Sequence, residues 1–134
     1  MCKTNSINIY LSKRYMYVDE ISDKHALFAL IKGAPGPIVL KFGAEWCAPC
    51  KQIDSYVGDQ FRKMPDNVTC GMLDVDDNFE LYAFLKTKRV IPSIPTIVMY
   101  LPGVATHVPE AVVVGTTISE IDAFFTTVLQ EAAR

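Results

Sequence analysis

The stretch from Pro37 to Ile53 constrains this chain more than any other. It opens as an apolar, branched run, Ile38-Val39-Leu40-Lys41-Phe42, of strand type. It closes on Cys47-Ala48-Pro49-Cys50, where the pattern predicts a helix start. Pro49 suits a first helical turn, because its missing N–H has no intrahelical partner to lose. A thiol at a helix N-terminus feels the positive end of the dipole and the unpaired N–H groups there. That favours thiolate, and thiolate is the nucleophile. A second thiol three positions on can attack a mixed disulfide made by the first. The pattern therefore supports reversible dithiol/disulfide chemistry.

The remaining cysteines narrow the reading. Four are present, Cys2, Cys47, Cys50 and Cys70, and a single pair is close in sequence. This is no disulfide framework, and neither a second Cys-x-x-Cys nor a Cys/His pair at zinc-finger spacing occurs, so no metal site is expected. With 134 residues, half of them apolar and about a fifth charged, the chain reads as one globular domain over residues 1–134, with 1–6 a loose end. A net charge of −2 without a basic stripe argues against nucleic acid and anionic membranes. No apolar run approaches the roughly 20 residues of a membrane span. The N-terminal segment is too short and polar for a signal sequence, which points to a reducing, cytoplasmic compartment.

Taken in order, Ile7, Ile9 and Leu11 alternate with polar residues as in a half-buried strand, and Tyr15 to Val18 is a second candidate. Which of the two joins the sheet is left open. Ser22 is the expected N-cap of a helix carrying Ala26, Leu27, Leu30 and Ile31, with Gly33 as its stop. Ile38 to Gly43 reads as a central strand, apolar except at Lys41. The next helix, from about Cys47 to Phe61, spaces Ile53, Val57 and Phe61 along one face. Val68 to Val75 follows as a strand, and Asp77 with Glu80 predicts a capping box before Leu81, Tyr82 and Leu85. Thr96 to Leu101 and Ala111 to Val114 read as a terminal hairpin. Thr117 and Glu120 predict a second capping box, before Ile121, Phe124, Phe125, Val128, Leu129 and Ala132. Phe79, Tyr82, Phe84, Phe124 and Phe125 are expected in the core. Alternating strands and helices ending in a hairpin imply an α/β fold, a mixed central sheet with helices on both faces.

Ala44-Glu45-Trp46-Cys47-Ala48-Pro49-Cys50-Lys51 resembles the active-site signature of the thioredoxin family, with Ala48 where most members have glycine. Ile94-Pro95-Thr96 resembles that family's cis-proline segment, and Gly115 falls at its glycine near the end of the last strand. The resemblance implies a thioredoxin fold. It makes Cys47 the attacking thiol and Cys50 the resolving one. It makes the Ile94–Pro95 bond cis and places that loop across from the two sulfurs, with Trp46 and Gly115 bordering a groove for an extended substrate strand. An ordinary trans Pro95 at an edge strand is the alternative.

The departures carry information too. Where the family has a buried acidic residue on the strand before the cysteines, this chain has Lys41, and the family's matching lysine aligns with Met72. Under the cysteines, Lys41 would tune the redox pair by stabilising a nearby thiolate, or in its neutral form act as a base. The expectation kept here is the other one, that Lys41 snorkels to solvent. Trp46 and Pro49 are the further tuning candidates. Gly43 replaces a frequent aromatic residue and is expected to loosen that wall. Ser55 replaces a helix-kinking proline, and the Gly103–Gly115 hairpin is longer than usual.

The function implied is a monomeric thiol–disulfide oxidoreductase that reduces protein disulfides without a cofactor, recharged by a thioredoxin-reductase-like donor. The alternative is a thioredoxin-fold binding or scaffold subunit with redox-silent cysteines; a third reading is a carrier of a soft metal ion on the two thiolates. Cys70 reads as a small core residue, and Cys2 as an exposed thiol. A Cys/His nucleophile pair with His25 or His107 has no hydrolase signature behind it. Asp74, Asp76 and Asp77 lack the spacing of a calcium loop and suit a strand end.

Overall fold

The apolar run Ile38–Gly43 lies at the centre of a six-stranded mixed sheet, and every residue in it is buried. The computed structural model describes residues 7–12 and 15–134. Its elements are β1 (Ile7–Ser12), β2 (Tyr15–Ile21), α1 (Lys24–Gly33), β3 (Ile38–Gly43), α2 (Ala48–Arg62), β4 (Thr69–Asp74), α3 (Phe79–Thr87), β5 (Thr96–Tyr100), β6 (Ala111–Val114) and α4 (Ile118–Ala132). The sheet order is β1-β2-β4-β3-β5-β6. β4 runs parallel to both β2 and β3, whereas the β1–β2, β3–β5 and β5–β6 pairs are antiparallel. Among the described residues no helix is long and apolar enough to cross a membrane. Cys2 and the N-terminal segment 1–6 lie outside the described residues.

The two-residue period of β3 divides the core in two. Ile38, Leu40 and Phe42 join Leu27 and Ile31 of α1 and Leu81 and Leu85 of α3 in one apolar cluster. Val39 joins Ile53, Val57 and Phe61 of α2 and Phe124, Phe125 and Val128 of α4 in the other. Lys41 follows Val39 by two and so takes the α2 side. Its neighbours in register are Met72 on β4 and Ile97 on β5.

The structure corrects several local expectations. Both N-terminal candidates are strands of the sheet, β2 against β4 and β1 on its outer edge. The N-cap of α1 is Asp23, whose carboxylate accepts from Ala26 N at 2.9 Å; Ser22 stands one residue too early. α1 does end at Gly33, but through extended Ala34 rather than a left-handed glycine. The residue before Pro35 is pushed out of the helical region, and that supplies the stop. Neither expected capping box forms a side-chain cap. Thr117 sits at the N-cap of α4 without one, and Asn78, not Asp77, precedes α3. Asn78 spends its carboxamide on the sheet instead: it accepts from Ile21 N at 2.7 Å and donates to Asp74 O at 3.0 Å. Phe79 is 65% exposed and no part of the core, because the first turn of α3 faces it outward. Tyr82 and Phe84 are half-buried, and Leu129 is exposed on α4.

Candidate active site

The end of β3 and the start of α2 are held apart by a short loop, and side chains from β4 and beyond fix it. Asp74 Oδ2 accepts from Glu45 N at 3.0 Å and Asp74 Oδ1 from Asp76 N at 2.8 Å. Trp46 Nε1 donates to Asp76 Oδ2 at 2.9 Å, which leaves the indole 69% exposed beside the loop. Asp74 and Asp76 are therefore loop anchors, consistent with the strand-end reading.

Cys47 is the N-cap of α2 in extended conformation, and Pro49 sits in the first turn. Cys47 Sγ accepts from Cys50 N at 3.2 Å, so the sulfur takes the place of a capping oxygen. The two cysteines form a disulfide, with Cα atoms 5.3 Å apart. Cys47 is 6% exposed and Cys50 1%. The first sulfur is thus the one nearer to solvent, with helix N–H groups and the dipole behind it.

Lys41 does not reach solvent. It is 3% exposed, and its Nζ lies 2.5 Å from Asp54 Oδ1 on α2. A buried ammonium needs a partner, and α2 supplies one. Asp54 was not anticipated from the sequence. The signal for it exists: it lies one helical turn beyond Cys50 and hence on the same face of α2. Nor does Gly43 loosen a wall. A Cβ there would stand 3.2 Å from Lys41 Nζ and 3.4 Å from Cys50 Sγ, so the space is already shared by those two groups. Lys41, Gly43, Cys50 and Asp54 line one cleft of about 140 Å³, together with Glu45, Lys51 and Asp74 at its edge.

The Ile94–Pro95 bond is cis. Ile94 packs against the apolar cluster that contains Cys47 and Cys50. Pro95 O accepts from Gly115 N at 2.9 Å, and Gly115 has φ +97°, a left-handed conformation that suits glycine. Thus Ile94, Pro95 and Gly115 are brought together. Cys70 is buried in the sheet, and burial pushes its thiol far up. His107 packs edge-on against Phe84 and its carbonyl takes the Tyr100 hydroxyl, while His25 is exposed on α1. Neither lines the cysteine cleft.

The thioredoxin family model matches residues 20–126, which takes in the cysteine loop and everything from β3 to β6. The chain belongs to the thioredoxin family. Thioredoxin M3, chloroplastic, of rice is 31% identical over 83 residues, covering 58% of this chain and 45% of the rice protein. The bifunctional thioredoxin reductase/thioredoxin of Mycobacterium leprae is 29% identical over 84 residues, covering 63% of this chain and 17% of that protein. The chain spans about half the length of the curated relatives it matches. Among solved structures, Plasmodium falciparum thioredoxin superposes with a TM-score of 0.70 at 26% identity, covering 93% of this chain and 97% of that one. The thioredoxin fold implied by the resemblance is the fold observed.

Proposed function

We propose that this chain is a thiol–disulfide oxidoreductase that reduces protein disulfides through a Cys47/Cys50 dithiol cycle. The observation that carries the reading is the pair itself: Cys47 caps α2 at the nearer-to-solvent position and Cys50 sits bonded to it in the buried one. In the cycle, Cys47 thiolate attacks one sulfur of the substrate disulfide, and the other leaves as a thiolate that takes up a proton. Cys50 then attacks Cys47 Sγ, the second substrate sulfur leaves with its electron pair, and the bridge closes. Two electrons and two protons pass to the substrate.

Ile94, Pro95, Gly115 and the exposed Trp46 form the proposed substrate-binding wall, where an extended strand would pair with the backbone beside Pro95. A thioredoxin-reductase-like protein is the proposed electron donor. The Mycobacterium leprae relative supports this, since its name joins both activities in one chain. The protein is proposed to work as a cytoplasmic monomer carrying electrons from that donor to its substrates, although the rice relative is by name chloroplastic.

The test is insulin disulfide reduction with parent, Cys47→Ser and Cys50→Ser proteins. Cys47→Ser is expected to lose turnover, and Cys50→Ser to accumulate a mixed disulfide detectable by mass. Undiminished reduction in Cys47→Ser would sink the assignment. Full function of the double serine variant within a complex would favour the redox-silent scaffold.

A further inference from the structure

The cleft beside the bridge contains a buried cation where the thioredoxin resemblance implies a buried acid. Lys41 Nζ and Cys50 Sγ stand within 3.2 Å and 3.4 Å of the same point, the place a Gly43 Cβ would fill. Both groups therefore border the space that Gly43 leaves. The remaining charged groups on the cleft come from three elements. Glu45 in the loop and Lys51 on α2 pair with each other at 2.6 Å, both well exposed and screened by solvent. Asp74 at the end of β4 has its carboxylate occupied by Glu45 N and Asp76 N. Met72 and Ile97, which flank Lys41 on the neighbouring strands, bring no charge. Asp54 neutralises Lys41 from the solvent side, with its side chain 47% exposed against 3% for Lys41. Water screens the half-exposed anion more than the buried cation, so the pair does not cancel fully inside the cleft.

We infer that Lys41 is a positioning residue for the resolving step: its ammonium, seated in the space Gly43 leaves and held there by Asp54, stabilises the Cys50 thiolate that closes the bridge. This rests on the proposed dithiol cycle. After Cys47 has formed the mixed disulfide, the Cys50 S–H proton leaves through the cleft to water. The Cys50 electron pair forms the bond to Cys47 Sγ. The bond from Cys47 Sγ to the substrate sulfur breaks, and that sulfur departs with the pair and takes up a proton. Lys41 neither gains nor loses a proton; its charge faces the anion only while Cys50 is a thiolate. Asp54, on the same face of α2 as Cys50, fixes the position of the ammonium at the mouth of the cleft through their ion pair.

The experiment is stopped-flow reaction of the full reduced chain, with Cys2→Ser in every variant so that no other exposed thiol reacts, with one equivalent of Ellman's reagent over a pH series. One chromophore leaves when Cys47 attacks and a second when Cys50 resolves. In Lys41→Met the pH midpoint of the second release is expected to rise by about one to two units, which slows resolution roughly three- to tenfold at pH values below it, because the scarcer thiolate is also the stronger nucleophile. Lys41→Arg, which keeps the charge, is expected to restore most of the shift. Lys41→Gln serves in place of Lys41→Met if circular dichroism shows the latter unfolded. A merely structural role would change rates and stability without moving the midpoint. An unchanged second-release midpoint in a folded uncharged variant overturns the inference while leaving the dithiol cycle intact. Absence of any second release in the parent overturns the cycle and the inference together.

Discussion

Lys41 and Asn78, two of the buried polar side chains, are each tolerated because a partner takes their polar atoms. Asn78 is 1% exposed and supplies the acceptor for Ile21 N at the end of β2. Asn78→Ala leaves that N–H buried without its acceptor, at a cost of about 1–3 kcal/mol. A lower urea midpoint with unchanged slope is the expected result; an unchanged midpoint would show that Ile21 finds another acceptor. The Lys41–Asp54 pair is asymmetric. Removing Asp54 strands a buried cation, so Asp54→Ala should cost roughly 1–3 kcal/mol, less than for a fully buried pair because Asp54 is half in water. Lys41→Met removes the buried charge itself and should be neutral or stabilising by the same urea measurement. Comparing the two variants checks the burial order directly. At this scale the cysteines and Lys41 were readable from the sequence, because residue type and position next to a strand-to-helix turn limit what they can do. The direction of Lys41 was not. A lysine at a strand position has two options, stretching out or finding an anion, and the deciding anion sits on another element. The two-residue period put Lys41 on the α2 side, and the helical period put Asp54 opposite, but the two had to be read together.

At the level of elements, the helices formed where the apolar period placed them, and their first residues did not. Adjacent polar residues such as Ser22 and Asp23, or Asp77 and Asn78, are all of N-capping type, and residue type alone does not choose between them. The backbone chooses: Asp23 has the extended conformation and the correct reach to Ala26 N. Asp23→Ala is accordingly expected to cost about 1 kcal/mol. Thr117→Ala, at a cap position whose side chain makes no capping bond, should stay within about 0.5 kcal/mol. Thermal unfolding of the two variants side by side checks this, and equal losses would contradict it. Phe79 teaches a related lesson. An aromatic residue at a helix start looks like core in composition, but only the turn it occupies decides which way it faces. Both N-terminal strands were visible as candidates, the first by its alternation, yet their pairing was not, since the parallel partner of β2 is β4, far along the chain.

At the scale of the whole molecule, two weak acids among the described residues lie deep in the sheet, Cys70 and Tyr100, and they give it an alkaline limit. Burial raises both the Cys70 thiol and the Tyr100 phenol above their ordinary values. The unfolded chain therefore loses these protons at a lower pH than the folded one. Their contribution is fully present below the ordinary thiol range, about 8.5, and is lost as pH rises above it. Urea midpoints should fall above that pH in the parent and fall less steeply in Cys70→Ala, whatever the absolute stability of that variant; parallel curves would exclude the thiol as the cause. The fold as a whole was legible because β3 is apolar on both faces and strands alternate with helices along the chain, which leaves few topologies open. The same sheet order also has a consequence in time. β3 lies between β4 and β5, and both come later in the chain. During synthesis, Cys47 and Cys50 emerge before either neighbour of β3 exists, with Lys41 still an ordinary solvated lysine and the loop without the Asp74 anchor. The dithiol is thus a late-maturing site. A nascent chain halted before β4 holds both cysteines but not the surroundings that set them apart from any other pair of thiols.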